Sequence, residues 1–518
     1  MAIPTGDDPY TYTGGRWLHQ DELQRQSRAL RFDFPRLCET AIKLCDGASK
    51  VTKYEKKEGG YNRVFVLTMD TGKRVVARIP TPVAGPQRLT VHSEVATISY
   101  LQLKLSLPIP KILAWSDDSS NPVGIEYIIQ EHADGVQLLE RWPFMDPLQR
   151  MRCTKALSLK IVEMASLDFP AYGSIYFADA PIERGLKIPL EDGFCIGPYC
   201  NFPFWNCGLG EADLYSKPNS NRGPWKNLTD YTFGLIDTAF SRVPKQANSN
   251  DQLSYRGTIN DHINLINSCR ETMQVLIRDA NLQAGALPTL IHPDYHTRNV
   301  FVSQDDPTIV TALIDWQWTS IEPAFMYAEN TPDFASLSEE NLAEEETGKQ
   351  SSDNEQEKQH QTSEFICHKT YDVVMCLMIP KMRIAKRIDP PLLRLFHYCM
   401  TTWRDGAPAI RQELLDVRSH WAEYGFPGEC PYVPTKEELC QHAAQYEDFE
   451  SMHKLKAWLK KTLGTSSDGW MPNEIWDDAK EAHRAAYELW MKTARESETS
   501  GGDMTVARAE KLWPFDCR

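Results

Sequence analysis

Residues 290–317 read LIHPDYHTRNVFVSQDDPTIVTALIDWQ, and no other stretch constrains the fold as tightly. Two short apolar runs, 299–302 and 309–314, flank the turn residues Gln304-Asp305-Asp306-Pro307. That pattern predicts a β-hairpin. Its antiparallel return brings the start of the first strand beside the end of the second. Asn299 and Asp315 are therefore expected to converge although 16 positions separate them.

Two oxygen-bearing side chains at one point suit a hard cation such as Mg²⁺. Asp294 lies five residues before Asn299, in the loop that enters the hairpin. Phosphoryl transfer asks little covalent chemistry of a protein. It needs charge neutralisation at the phosphates, a carboxylate to orient the attacking hydroxyl, and alignment. His-x-Asp-x-x-x-x-Asn followed by a strand-ending Asp supplies that set. Asp294 is read as the orienting group or base, Asn299 and Asp315 as metal ligands, and His292 as the organiser of the loop. The bland reading makes His292, Asp294 and Asn299 turn residues only. The hairpin and the second aspartate weigh against it.

Upstream, residues 9–50 read as an aromatic lead-in and a helix with Leu30, Phe34, Leu37, Ile42 and Leu44 on one face. Residues 61–69 and 74–79 are β-rich runs joined by Asp70-Thr71-Gly72-Lys73, a hairpin signal. A helix is predicted over 91–105, stopped by Pro108 and Pro110, then strands over 112–115 and 124–131. Helices dominate beyond, for example 148–167 and 259–280. The aromatic, Gly/Pro-rich stretch 172–228 matches no element. Residues 338–363 are polar, charged and free of aromatics, the composition of a flexible linker, and 364–495 reads as a helical extension. The chain carries no internal repeats.

At 518 residues, size suggests two to four cooperating lobes. A net charge of -15 argues against nucleic acid, whose binders release counterions with Lys and Arg. No apolar run approaches the roughly 18–20 residues of a membrane span. The 13 cysteines lack a paired framework, so they read as reduced thiols, and Cys195, Cys200 and Cys207 lack the fourth ligand and tight spacing of a Zn²⁺ site. The N-terminus carries Asp7 and Asp8 and no transit-peptide pattern, which favours the cytoplasm.

HPDYHTRN followed by ALIDWQ resembles the catalytic and metal segments of the aminoglycoside phosphotransferase family, whose lobes are similar to those of protein kinases. Trp316 stands where a protein kinase has Phe. GGYNRVFVLTMDTGKRVVARIPTP, SEVATISYL and PVGIEYIIQEHADGVQL resemble, more narrowly, the fungal altered-inheritance-of-mitochondria phosphotransferase-like proteins. The resemblance implies an α+β, bilobed, protein-kinase-like fold with a small antiparallel-sheet N-lobe, a large helical C-lobe and a helical C-terminal extension. The boundaries expected are a lead-in over 1–50, the N-lobe over 51–131, the C-lobe over 132–337, the linker over 338–363 and the extension over 364–518.

The same resemblance implies ATP and Mg²⁺ as cofactors and a mitochondrial alternative for location. It places Gly59, Gly60 and Asn62 in a phosphate-covering loop that lacks the full glycine pattern. Arg78 takes the position of the phosphate-holding lysine, with Glu94 as its partner; a purely structural ion pair fits the two residues equally. Glu131 and His132 fall at the hinge, with Val64 and Ala77 as walls around the base. The family braces its catalytic loop with an Asp soon after Pro323, and IEPAFMYAEN has none. Glu322, Glu329 and Asp333 are then either an acidic acceptor lining or solvated.

The leading expectation is a kinase transferring the γ-phosphoryl group of ATP to a hydroxyl of a small molecule. A pseudokinase that binds nucleotide and engages a protein partner through its extension is the alternative, with Arg78 and the short glycine loop in its favour. A metal-dependent phosphoester hydrolase is a third reading.

Overall fold

Alternating apolar residues in the first quarter of the chain assemble into one antiparallel sheet. The computed structural model describes residues 7–515 except 192, 216–220, 247–252, 254, 339–354 and 467. After strand β1 (Gly15–Trp17), helix α1 (Phe34–Lys43) starts at Asp33, whose carboxylate accepts the Arg36 N–H at 2.9 Å. A capping side chain of this kind satisfies an otherwise orphan donor. Phe34, Leu37 and Ala41 bury one face of α1 against Phe65 and Tyr54. Strands β2 (Val51–Glu58), β3 (Asn62–Met69) and β4 (Arg74–Pro80) follow, then helix α2 (Leu89–Lys104) and strands β5 (Ile112–Ser116) and β6 (Tyr127–Glu131).

The sheet order is β2-β3-β4-β6-β5, antiparallel throughout. The Asp-Thr-Gly-Lys turn joins β3 to β4 as expected, with Gly72 at φ 83°. Strand β2 had no sequence signal, because five of its eight residues are charged and hide the period-2 pattern. Its place at the sheet edge lets it carry them.

Residues 132–135 cross to the larger lobe and lead into β7 (Val136–Gln137). Helix α3 (Pro147–Ala165) opens with a capping box between Asp146 and Gln149, and α4 (Leu228–Ser241) and α5 (Ile259–Leu276) build the lobe further. The expected hairpin is present as β8 (Val300–Val302) and β9 (Val310–Leu313), with β7 paired on its other side. The product is an α+β, two-lobed architecture, a small antiparallel sheet beside a larger helical lobe.

Helix α6 (Glu355–Met378) lies along α3, and its Tyr371, Val374 and Met375 share a core with Leu157 and Ile161. The helical lobe thus continues past residue 364. The expected linker is corrected accordingly: 355–363 are helical, and 339–354 lie outside the described residues. Glu, Gln and Lys favour helix, but without an apolar stripe they give periodicity nothing to register. Farther on, Leu393, Phe396 and Leu414 pack with Leu235, Ile266 and Met273.

The chain ends by returning to its start. Helix α7 (Lys436–Leu463), strand β10 (Trp470–Pro472) and helix α8 (Trp476–Thr499) enclose Leu18 together with Leu459, Met471 and Phe515. Strand β10 pairs antiparallel with β1, Gly15 opposite Pro472 and Trp17 opposite Trp470. Among the described residues no helix is long and apolar enough to cross a membrane. The described cysteines are all free, and Cys195, Cys200 and Cys207 face three separate partners, Phe177, Thr90 and Trp205.

The crossover between lobes depends on Gly135, at φ 92°, where an added Cβ would meet the Val302 carbonyl oxygen at 2.2 Å. Gly135→Ala should cost roughly 2–4 kcal/mol through combined strain and overlap. Gly124→Ala, at φ 79° with open space around it, should cost about 1 kcal/mol. Equal losses for the two variants in chemical denaturation would show that the approach to Val302 does not matter.

Candidate active site

The open end of the β8–β9 hairpin builds the site. Val300 sits opposite Leu313, and the Ile314 N–H donates to the Asn299 carbonyl at 3.0 Å. That bond sets residues 299 and 315 side by side. Asp315 has φ 67°, a left-handed backbone that few non-glycine residues adopt.

His292 ties the entering loop to the hairpin. Its Nε2 lies 2.9 Å from the Ile314 carbonyl and its Nδ1 is 3.1 Å from the Asp294 N–H. The carbonyl requires a donor and the amide an acceptor, so the ring is neutral with the proton on Nε2. Burial pulls its pKa down, partly offset by the Ile314 bond, and the ring packs against Trp316 at 4.5 Å. The role of loop organiser fits these contacts.

Asn299 Nδ2 donates to the Asp294 carbonyl at 2.9 Å and to Asp294 Oδ2 at 2.7 Å. Its amide oxygen is thereby turned away from Asp294. Arg298, four residues on, donates through Nη2 to both Asp294 oxygens at 2.7 and 2.9 Å. Sequence reasoning passed over Arg298, although an Asp–Arg pair at i,i+4 was there to be seen.

Arg78 reaches across from β4. Its Nη1 donates to Asp315 Oδ1 at 2.8 Å and its Nη2 pairs with Glu94 Oε2 on α2. A planar fork holds two carboxylates where an ammonium offers a point charge. Burial lowers the guanidinium pKa, opposed by the Asp315 carboxylate. Val64 lies directly opposite Arg78 and shares its face of the sheet. Ala77 does not. It pairs with Phe65 and joins the core under α1, so its assignment as a wall of the base is corrected. Side chains alternate along a strand, and the wall position on the Arg78 face falls to Val76, opposite Val66 and Gln130.

The loop between β2 and β3 folds over this region. The Gly59 N–H donates to the Asn62 carbonyl at 3.0 Å, and Gly60 offers its carbonyl to Arg28 at 2.8 Å. Asn62 Nδ2 donates to Gln317 Oε1, two residues past Asp315, at 2.5 Å, and Tyr61 packs edge-on against Trp318 and is stacked with Phe202. At the crossover, the Glu131 carboxylate turns outward to the Lys111 N–H, and burial lowers the pKa of half-buried His132. The structure thus gathers His292, Asp294, Asn299, Asp315, Arg78, Glu94 and the 59–62 loop. It leaves Ala77 and the Glu131 side chain elsewhere.

A bracing aspartate, expected to be missing, is present as Asp333. It accepts the Thr297 N–H at 2.9 Å and the Thr297 hydroxyl at 2.6 Å, fixing the turn before Asn299. Its distance from Pro323, ten residues, hid it, although Asp333-Phe334-Ala335 has the expected Asp-apolar-Ala form. Glu322 is instead half-buried, takes the Tyr231 hydroxyl at 3.1 Å and is pushed up to about 7 by desolvation, while Glu329 is exposed. These three acids do not line one site.

Among the described residues no three His, Cys, Asp or Glu side chains gather as a metal set. A metal would rest on Asn299 Oδ1 and Asp315 Oδ2, since the bonds of these side chains among the described residues fall on Asn299 Nδ2 and Asp315 Oδ1. One carboxylate and one amide, completed by phosphate and water, is the donor set Mg²⁺ takes in nucleotide sites.

Residues 260–326 match the model of the phosphotransferase enzyme family. The chain is 32% identical over 310 residues to a subtelomeric hrmA-associated cluster protein of Aspergillus fumigatus; the match covers 52% of this chain and 58% of that relative, so it spans little more than half of the relative's length. It is 22% identical over 584 residues to altered inheritance of mitochondria protein 9, mitochondrial, of Candida glabrata, covering 92% and 88% of the two chains. A solved structure of a putative aminoglycoside phosphotransferase from Ralstonia eutropha has 15% identity and a TM-score of 0.34, covering 74% of this chain and 99% of that one. The resemblance read from the motifs is matched by the family model over 260–326 and by the altered-inheritance-of-mitochondria relative.

Buried neutral histidines make stability depend on pH. The folded pKa of His292 lies below its ordinary 6.5, and burial pushes His262 and His442 down to about 4. As pH falls below 6.5 the unfolded chain takes up protons first, so stability is complete above that value and lost below it. Unfolding free energy should fall between pH 7 and pH 5, less steeply in His292→Gln. An unchanged slope in that variant would contradict the neutral assignment.

Proposed function

We propose that this chain, whose 260–326 segment matches the phosphotransferase enzyme family model, is an ATP- and Mg²⁺-dependent kinase acting on a hydroxyl of a small molecule. The observation that carries the reading is the convergence of Asp294, Asn299 and Asp315 under a loop fixed to the same segment. In such a reaction the acceptor oxygen bonds to the γ-phosphorus as its bond to the β–γ bridging oxygen breaks, leaving ADP. The hydroxyl proton passes to the Asp294 carboxylate, which Asn299 and Arg298 hold in place. Bound Mg²⁺ would supply charge neutralisation at the phosphates, held by Asn299 and Asp315. Arg78 and Glu94 align the nucleotide side of the cleft, and Val64 and Val76 lie on the face available to the base. His292 and Asp333 keep the loop in register. Relatives matched over 92% of this chain are named mitochondrial, which favours mitochondria over the cytoplasm as its location.

One observation favours a second reading, a nucleotide-binding platform with little turnover. The Arg78 guanidinium already holds one oxygen of Asp315, the group proposed to take the metal. Thermal melting with and without Mg-ATP, followed by ATP turnover across a hydroxylated metabolite library, separates the two. Binding with turnover supports the kinase, and binding alone supports the platform.

Asp294→Asn should lower turnover by about 10² to 10⁴ while sparing nucleotide affinity, since the carboxylate acts on the transition state. Asp315→Ala should instead weaken Mg-ATP binding in calorimetry. Wild-type turnover in the first, or wild-type affinity in the second, would remove the role assigned.

A further inference from the structure

One of the ties on the 59–62 loop leads away from the cleft to the far end of the chain. Arg28 is 7% exposed, and its Nε donates to the Gly60 carbonyl at 2.8 Å. Its Nη1 is fixed by the Gln24 carbonyl at 2.9 Å and Gln24 Oε1 at 2.7 Å. The guanidinium carbon sits 4.5 Å from the centre of the Trp17 ring. Trp17 closes β1, pairs with Trp470 of β10, and donates its indole N–H to Asp468 Oδ2 at 3.0 Å.

A second path runs parallel to the first. The Asn473 amide donates to the Thr13 carbonyl, and the Thr13 N–H donates to Glu58 Oε2 at 2.7 Å, at the root of the loop. Glu58 also pairs with buried Arg63 at 2.7 Å, and Arg63 Nη2 donates to the Arg28 carbonyl at 3.3 Å.

The Gly59 to Asn62 bond closes the turn around the Gly60–Tyr61 peptide, but side-chain sterics at Gly60 do not fix how that peptide faces. Gly60 has no left-handed φ, and a Cβ there would meet nothing within 4 Å. The loop also lacks the third glycine that lets a backbone wrap phosphate closely. A trans peptide points its C=O and N–H to opposite sides. By drawing the Gly60 carbonyl to one side, Arg28 turns the Tyr61 N–H to the other.

We propose that Arg28 is a positioning residue for the nucleotide phosphates, orienting the Gly60–Tyr61 peptide, and that the pairing of β1 with β10 holds Arg28 in place. The C-terminal region then sets nucleotide affinity without touching the nucleotide. This rests on the nucleotide-binding reading above.

The test uses the full chain. Mg-ATP is titrated by calorimetry, and amide exchange of residues 59–62 is followed without nucleotide. Arg28→Met should raise the Kd about tenfold, the worth of one charge-assisted hydrogen bond, and speed exchange over 59–62. Arg28→Lys, which keeps one donor and the fold, should fall between it and wild type. Gly15→Ala acts from a distance. Its Cβ would lie 2.3 Å from the Met471 carbonyl oxygen, parting β1 from β10, and should move both readouts the same way. Wild-type Kd in Arg28→Met or in Gly15→Ala, or weaker binding with unchanged exchange over 59–62, overturns the proposal and leaves the nucleotide reading intact. A wild-type chain that binds no Mg-ATP overturns both.

Discussion

A single main-chain hydrogen bond, from the Ile314 N–H to the Asn299 carbonyl, decides whether this chain has a site at all. It closes the hairpin at the point where two oxygen donors must meet, and His292 caps it by donating to the Ile314 carbonyl. Asp294 is then placed by the same network, through the Asn299 amide on one side and the His292 ring on the other. Asp333 fixes the turn from below through Thr297. The proposed chemistry would be carried by a few side chains whose positions are set by backbone geometry, which is how residues scattered over about forty positions come together.

The second constraint joins the lobes. Arg78 joins β4, α2 and Asp315, two residues past β9, with one guanidinium. Asn62 and Gln317 add a hydrogen bond between the loop and the segment after Asp315, and Tyr61, Phe202 and Trp318 add an aromatic contact beside it. An ammonium could not hold both carboxylates in the same plane. The substitution therefore stiffens the cleft, and it also makes the Arg78–Asp315 bond compete with any cation that Asp315 takes.

Local features were legible in the sequence. The hairpin, the Asp-Thr-Gly turn and the His-Asp-Asn spacing each depend on residues near one another. Features that failed did so for physical reasons. Strand β2 hides its apolar alternation behind charges that an edge position tolerates. Ala77 was placed one residue off the cleft face, and in a strand one residue reverses the side. Asp333 lies ten residues past Pro323, outside the short motif, and Arg28 acts through a carbonyl, which leaves no motif. The pairing of β1 with β10 joins residues more than 450 positions apart, and no local pattern encodes such a contact.

In the proposed kinase, Asn299 and Asp315 share one cation. The most direct test of that sharing is anomalous diffraction from crystals grown with Mn²⁺ and a non-hydrolysable ATP analogue. A single peak within coordination distance of Asn299 Oδ1 and Asp315 Oδ2 is the predicted result. A peak elsewhere, or nucleotide bound with Arg78 still paired to Asp315 and no metal beside it, would contradict it.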